Sequence, residues 1–295
     1  MNQLMQSALF LLVATGAMLG LTLPFGKIAA SLHISPFMWA FVISAGAGLI
    51  LLGFLLAKAR FLNFSAHHLR YYFIAAAVSY ALPNVMVLTV IPHLGAGFTG
   101  IMYTLSPVTT LLLSVVCGLK RPNYLGIIGI AVGFLGALLV AITRGETGSV
   151  AEPLWLIVAL LIPVVLAVGN VYRTIDWPQN ADPVELACGS HLAAALLLIV
   201  SMVFVEGGFP IGQLMAAPWM VLIQAAVSAL MFTLYFQLQI VGGPVYLSQM
   251  GYVAAAIGLI SGTLFMGEHY QMLTWFGALV IALGVFFTTK AQSAK

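Results

Sequence analysis

The segment Gly126-Ile-Ile-Gly-Ile-Ala-Val-Gly133 recurs as Gly277-Ala-Leu-Val-Ile-Ala-Leu-Gly284, 151 residues further along the chain. Each copy comes just after a short polar turn that follows a long apolar run. Because the interval is close to half of the 295 residues, it indicates an internal duplication. We expect the two halves to be residues 1–147 and 148–295.

Apolar runs long enough to cross a bilayer follow one another along almost the whole chain. Hydrophobic residues make up 62% of the sequence and charged residues 6%, whereas soluble domains have roughly 45–50% and about 25%. A span needs about 20 apolar residues, and a backbone in lipid must satisfy its own hydrogen bonds, so each run predicts a helix. The predicted fold is therefore all-α, a polytopic membrane bundle of ten transmembrane helices. The predicted spans are residues 5–29, 36–57, 70–91, 95–117, 122–143, 154–175, 184–205, 218–240, 244–266 and 271–289.

The basic residues fall on one side of these spans. With the N-terminus inside, eight of the ten lie on the cytoplasmic side, namely Lys58, Arg60, Arg70, Lys120, Arg121, Arg173, Lys290 and Lys295. Lys27 and Arg144 lie toward the outside. Since cytoplasmic loops carry an excess of Lys and Arg, both termini are predicted to be cytoplasmic.

The two halves are predicted to be inverted with respect to each other. Five spans per half is an odd number, so the second half must cross the membrane in the opposite sense. The turn before the first glycine run carries Lys120 and Arg121, whereas its counterpart carries Glu268 and His269 and no Lys or Arg. Inverted repeats are a common plan of secondary transporters, with the substrate site near the midplane. The alternative is that duplication merely built a stable bundle.

Further motifs recur in a definite order along the chain. They are Gly20 through Lys27, Tyr103-Thr-Leu-Ser-Pro107, and Gly267-Glu268 followed by Gly277 and Gly284. Together they resemble the EamA-like branch of the drug/metabolite transporter superfamily over nearly the whole chain. The chain departs from that family in having Leu19 where Trp is frequent, Lys120 where the first half often has Glu, and no Arg in the second span. Ala255 or Ala256 also stands where the family often has Pro. The resemblance implies export of amino acids or related metabolites across a bacterial inner membrane.

Neutral polar side chains recur at helical spacing within the predicted spans. Because polar groups that face lipid are costly, we expect these side chains to face the bundle interior and to bind substrate. The candidates are Tyr80, Asn84, Thr99, Tyr103, Ser106, Asn170, Gln224, Tyr235, Gln239, Tyr246, Gln249 and Tyr252. Tyr, Gln and Asn suit an uncharged, zwitterionic or partly aromatic small solute. The alternative is helix packing, in which hydroxyl and amide groups bond within or between helices.

Three polar positions carry two further hypotheses. Tyr103 and Tyr252 occupy equivalent places in the two halves, so they are predicted to flank a central cavity. Lys27 is the one basic residue embedded in a predicted span away from its cytoplasmic end. It either receives a carboxylate or phosphate of the substrate, pairs with Glu268, or extends its amine to the headgroups.

The predicted function is that of a secondary transporter, working by alternating access, for amino acids or related zwitterionic or aromatic solutes. A facilitated-diffusion carrier or exchanger for another neutral or anionic metabolite is the alternative, because every Asp and Glu lies in a loop or at a helix end. An intramembrane enzyme would need convergent catalytic groups, and the spans contain none.

We predict no catalytic residue, metal or cofactor. The predicted partners are a small-molecule substrate and the lipid bilayer, and no nucleic acid, since no basic cluster exceeds two adjacent residues. The oligomeric state stays open.

Overall fold

The computed structural model describes residues 6–119, 123–143, 153–266 and 271–293, and these residues form helices without any strand. The all-α prediction is therefore confirmed. The helices are α1 (Ala8–Ser31), α2 (Pro36–Ala57), α3 (Ala66–Ala75), a π-helical segment (Ala76–Ala81), α4 (Leu82–Val116), α5 (Tyr124–Thr143), α6 (Pro153–Ile175), α7 (Pro183–Val205), a short 3₁₀ helix (Ile211–Ala216), α8 (Pro218–Ser248), α9 (Met250–Met266) and α10 (Met272–Ser293).

Several of these helices have the length and hydropathy of membrane spans. Six such stretches occur in the described residues, namely Ala8–Ser31, Pro36–Ala57, Ala66–Leu94, Pro153–Ile175, Pro183–Val205 and Pro218–Ser248. Shorter apolar stretches are Met102–Val116, Tyr124–Gly136 and Met272–Thr288. Large apolar side chains cover the outside of the bundle, as lipid contact requires; Leu222 is 72% exposed and Phe204 is 84% exposed. The protein is a multi-pass membrane protein.

Side-chain caps define where two of the spans begin. The Ser35 hydroxyl accepts a hydrogen bond from the Met38 N–H at 3.0 Å, and Pro36 follows at the first helical position. The Asp182 carboxylate accepts from the Val184 N–H at 2.9 Å, and α7 likewise begins at a proline. A capping oxygen satisfies an N–H that the helix leaves unpaired, and proline has no N–H to leave unpaired.

The predicted gap between the third and fourth spans, at residues 92–94, is wrong: these residues are helical within α4. Nothing in that short segment interrupts a helix except Pro92, which α4 accommodates in its interior together with Pro107. At 1.5 Å per residue, the 35 residues of α4 would extend about 52 Å if straight, well beyond a hydrocarbon core of about 30 Å. Each proline removes one backbone hydrogen bond, so Pro92 and Pro107 are where we expect α4 to bend.

Two departures from α-helical geometry lie beside the bundle interior. Pro83 has no N–H to donate to the Ser79 carbonyl and its ring crowds that carbonyl, and the turn before it, Ala76–Ala81, is π-helical. Within α8, Gly243 has φ 72° and ψ 179°, a conformation that only glycine adopts readily. With Pro244 next in the chain, α8 consists of two helical pieces that meet at Gly243.

Helix pairing is most extensive between α5 and α10, followed by α4 with α6, α2 with α7 and α1 with α9. The glycine runs bring the backbones of α5 and α10 together. A Cβ placed on Gly284 would lie 2.4 Å from the Gly133 nitrogen and 2.7 Å from the Gly129 carbonyl oxygen. The repeated glycines therefore form a close helix crossing, which small residues permit in membranes.

Candidate functional site

A cavity lies among α1, α2, the π-helical segment, α4, α6, α8 and α9, and we call it the central cavity. Five of the residues predicted to bind substrate line it together: Tyr80, Asn84, Tyr103, Gln224 and Tyr235. The remaining wall is largely apolar. A mostly apolar cavity with a few polar groups is the usual form of a small-molecule site.

Polar atoms around the central cavity lack protein partners. Among the described residues, the Tyr80 hydroxyl, the Asn84 amide nitrogen and the Gln224 amide oxygen are buried without any hydrogen bond. The amide nitrogen of Gln224 does have a partner, since it donates to the Ser228 hydroxyl at 2.9 Å. A buried unsatisfied polar group costs about 1–3 kcal/mol, so a cavity that keeps several of them is suited to a polar ligand.

Aromatic rings form one wall of the central cavity. The Tyr80 ring centroid lies 4.2 Å from that of His191 and 5.3 Å from that of Phe232. His191 is fully buried, and neither of its ring nitrogens has a hydrogen-bond partner in the part of the chain that the structure describes. This wall offers flat, polarisable surfaces to a solute.

Arg173 is buried directly behind this wall. Its guanidinium Nη2 donates to the Asn170 side-chain oxygen at 2.9 Å, to the Gln239 side-chain oxygen at 3.2 Å and to the Tyr235 hydroxyl. Its Cζ lies 4.8 Å from the ring centroid of Tyr235 and 5.7 Å from that of Tyr80, in cation–π contact. We call these four polar residues, Asn170, Arg173, Tyr235 and Gln239, the arginine network.

The arginine network gives Arg173 a place at the site, whereas the sequence analysis counted it only among the basic residues of the cytoplasmic side. Arg173 is only 1% exposed. The signal available in the sequence was its spacing, because Asn170 lies three residues earlier and so on the same face of α6. What the sequence did not contain was the placement of α8, whose Tyr235 and Gln239 cover the guanidinium.

A second cavity opens at the end of the bundle where α5 begins, and we call it the end cleft. The predicted residues Tyr246 and Gln249 line it, as does Thr174. The Gln249 side-chain oxygen accepts a hydrogen bond from the Thr288 hydroxyl. The break in α8 at Gly243 also lies on this cleft.

Comparison with known families bears directly on this architecture. The model of the EamA-like transporter family matches residues 6–142. Nearly half of the chain, residues 6–142, therefore matches this family, which belongs to the drug/metabolite transporter superfamily. The match confirms, over those residues, the resemblance drawn from the sequence motifs.

A likeness to a solved structure extends over nearly the whole chain. A solved structure titled "Crystal structure of protein" superposes with a TM-score of 0.70 and covers 94% of this chain and 98% of its own, at 15% sequence identity. At that identity the likeness establishes the fold alone. No curated protein matches the sequence.

Other residues that were predicted to bind substrate lie outside the central cavity. Tyr252 donates its hydroxyl to the Ile130 carbonyl at 3.1 Å, and its ring would be 2.7 Å from a Cβ on Gly133. This is packing of α9 on α5, so Tyr252 and Tyr103 do not flank the same cavity. Thr99 and Ser106 are buried in α4.

Lys27 is half-buried in the last turns of α1 and lines neither cavity. Its predicted partner Glu268, like the turn that bears Lys120 and Arg121, lies outside the described residues.

Ion pairs join helix ends at the end of the bundle where α3 begins and α6 ends. Asp176 accepts from Arg70 at 2.5 Å and from the Tyr172 hydroxyl at 2.6 Å, and its carboxylate lies 3.2 Å from His67. Partial burial raises the pKa of Asp176, but the hydrogen bonds from Tyr172 and Arg70 outweigh it and hold that pKa below its usual value. The carboxylate therefore stays ionised and ties α3 to α6.

Proposed function

We propose that this protein is a secondary transporter of small metabolites, namely amino acids or related zwitterionic or aromatic solutes. The observation that carries the proposal is the central cavity, where Tyr80, Asn84 and Gln224 keep buried polar atoms free beside an aromatic wall. An amino or carboxyl group on a solute would satisfy those atoms, and an apolar or aromatic side chain would pack on the rings. We further propose that the direction is export across a bacterial inner membrane.

The proposed architecture is ten spans in two inverted halves, residues 1–147 and 148–295. Helix packing supports it. An inverted repeat relates each helix of the first half to the helix five places later, and the reverse. Under this exchange, the pair α5 with α10 and the pair α2 with α7 stay unchanged. The pair α4 with α6 maps onto α9 with α1, which is also among the most extensive contacts. Such a two-fold pattern is what an inverted repeat predicts.

Alternating access is supported by the two cavities and by what separates them. The central cavity and the end cleft are separate, and the arginine network lies between them, because Tyr235 lines the first and Gln239 bonds to Thr174 of the second. Two openings around one midplane site are the arrangement that a rocking transporter requires.

The proposed orientation has both termini in the cytoplasm, which makes the end cleft the cytoplasmic opening. In support, Arg60 and Arg70, both predicted to be cytoplasmic, pair with Asp182 and Asp176 at one end of the bundle. Cysteine-accessibility mapping of the turns at Lys120 and Glu268 tests the orientation and the inversion together. Labelling of both turns from the same face would contradict the inverted repeat.

Counterflow in proteoliposomes tests the proposed function. Purified protein is reconstituted with an internal pool of each amino acid or metabolite, and uptake of labelled external solute is measured. We expect exchange of at least one solute, and we expect Tyr103→Ala and Gln249→Ala to reduce it without lowering the amount of reconstituted protein. Tyr124→Ala is the matched control, since Tyr124 is 80% exposed at the start of α5 and should leave exchange unchanged.

Two results would contradict the proposal. The first is that correctly inserted protein exchanges no solute of the panel. The second is that Tyr103→Ala lowers the amount of folded protein but leaves exchange per molecule unchanged, which is the result that a packing role predicts.

Facilitated diffusion or exchange, without proton coupling, is the second candidate mechanism. The described carboxylates favour it, because Asp176, Asp182, Glu185 and Glu206 all lie in loops or within the first turn or cap of a helix. Proton-coupled carriers usually hold such a group within the membrane. An imposed pH gradient separates the two mechanisms, since it should accumulate solute only if protons are coupled to transport.

A further inference from the structure

Arg173 carries a buried charge that no carboxylate of the described residues balances. Of the described residues, none places a carboxylate within ion-pair distance of its guanidinium, and its partners Asn170, Tyr235 and Gln239 are neutral. Asp176, the nearest acid along the chain, is bonded to Arg70 instead. A charge taken out of water needs an opposite charge as well as hydrogen bonds, so this site is short of one anion.

One edge of the same guanidinium still has a free donor. Arg173 Nε is buried, and no hydrogen-bond acceptor among the described residues reaches it. The hydrogen bonds to Asn170, Tyr235 and Gln239 all come from Nη2. Arginine binds carboxylates through two parallel N–H groups, and Nε is one of the donors able to take part in such a pair.

The guanidinium also lies on the route between the two cavities. Tyr235 and Tyr80, whose rings contact it, line the central cavity. Gln239, which accepts from it, donates to the Thr174 hydroxyl at 2.5 Å, and Thr174 lines the end cleft. A solute that passes from one cavity to the other must therefore separate Tyr235 from Gln239 and meet Arg173.

We propose that Arg173 binds a carboxylate group of the transported solute at the boundary between the central cavity and the end cleft. This rests on the proposed function and specifies its substrate class as carboxylate-bearing solutes, either zwitterionic amino acids or monocarboxylates. The incoming carboxylate accepts a hydrogen bond from Nε and takes the place of the neutral acceptors Tyr235 and Gln239 on the guanidinium. Tyr235 and Gln239 are then released from Arg173, and the passage between the cavities opens.

The position of the cation decides between two basic residues for this role. A carboxylate or phosphate of the substrate was one of the three partners that the sequence left open for Lys27, which is half-buried near the end of α1 and lines neither cavity. Arg173 instead contacts two tyrosines of the central cavity wall. Its planar fork also holds a carboxylate in a fixed orientation, which a lysine amine does not.

The test uses pairs of solutes that differ in a carboxylate against a carboxamide, such as phenylalanine with its amide and phenylacetate with phenylacetamide. Exchange of each is measured in proteoliposomes for wild type, Arg173→Gln and Arg173→Lys. The wild type should prefer acids about tenfold or more, which is the discrimination expected for hydrogen bonds to a charged group. Arg173→Gln should reduce the ratio to about one, and Arg173→Lys should give an intermediate value. Comparison of phenylalanine with phenylacetate distinguishes zwitterions from monocarboxylates.

Arg60→Gln is the matched control, because Arg60 lies at the end of the bundle, is 47% exposed and pairs with Asp182. It should leave the acid-to-amide ratio unchanged. Thermal unfolding of purified protein with each solute measures binding independently of transport, and acids should raise the melting temperature of wild type but not of Arg173→Gln.

The outcomes separate the two proposals. Acid-dependent stabilisation that requires Arg173, without exchange of any solute, would overturn the transporter function and keep the carboxylate site. Exchange with the same acid-to-amide ratio in wild type and Arg173→Gln would overturn the carboxylate site and keep the transporter. If Arg173→Gln does not fold, a wild type that prefers no acid over its amide in either assay overturns the site on its own.

Discussion

Replacing Gly284 by alanine should separate α5 from α10 and destabilise the protein. The added Cβ would lie 2.4 Å from the nitrogen of Gly133, 2.6 Å from its Cα and 2.7 Å from the Gly129 carbonyl oxygen. All three are backbone atoms, so no side-chain rotation can relieve the overlap. Ordinary contact begins near 3.4 Å, so the helices must move apart by about 1 Å at this crossing.

Forcing extra volume into a well-packed contact costs about 1–3 kcal/mol. Because 1.4 kcal/mol is a factor of ten, the ratio of folded to unfolded protein should fall by about 5- to 150-fold. Equilibrium unfolding of purified protein in mixed detergent micelles measures this change. The same variant should also unfold at a lower temperature than wild type.

Gly53→Ala is the matched control. Gly53 lies on the exposed face of α2, and a Cβ there would meet no atom within 4 Å. Alanine is the better helix former by up to about 1 kcal/mol, so this variant should be as stable as wild type or more stable. If Gly284→Ala is as stable as Gly53→Ala, the two helix backbones are not in the close contact described above.

Three further predictions concern other parts of the molecule. Asp176→Asn should remove the part of the stability that wild type loses on acidification. The lowered pKa of Asp176 stabilises the folded protein above the unfolded-state pKa of about 3.9, and this contribution is lost as the pH falls through the folded-state pKa. Melting temperatures of both proteins between pH 3 and 7 will test this. A thiol-reactive maleimide should label the exposed Cys117 but not the buried Cys188, and an impermeant reagent should reach Cys117 only from the cytoplasmic face. Tyr80→Phe should stabilise the solute-free protein by about 1–3 kcal/mol, because it removes an unpartnered buried hydroxyl, and should at the same time reduce exchange; an unchanged melting temperature would mean that the hydroxyl already has a partner.

Helix boundaries were predictable where composition and capping agree. The predicted span 36–57 coincides with Pro36–Ala57, and 184–205 begins one residue after Pro183. In both places an apolar run follows a capping side chain and a proline. The gap predicted at 92–94 failed because a proline inside a long membrane helix bends it without ending it.

The candidate site was only partly predictable, because periodicity reports which face is polar but not what covers it. Tyr80, Tyr103 and Tyr235, each from a different helical segment, line the central cavity together. The helical spacing of polar residues did not separate residues that line a cavity from residues that pack, such as Tyr252. Arg173 was missed because a basic residue near a helix end that is predicted to be cytoplasmic has an ordinary explanation, and its burial depends on how α8 is placed.

The π-helical turn before Pro83 sets the rotational phase of the helical run that forms the site. An α-helix advances about 100° per residue, so twelve residues separate Tyr72 from Asn84 by about 120° around a regular helix. The π-helical turn contains one residue more than an α-helical turn, so the angle between Tyr72 and Asn84 around the helix axis becomes about 20°. Tyr72 can thus bond to Glu185 of α7 while Asn84 still points inward. Removing one residue from Ala76–Ala81 would turn one of the two away, without changing any side chain of the central cavity outside that segment.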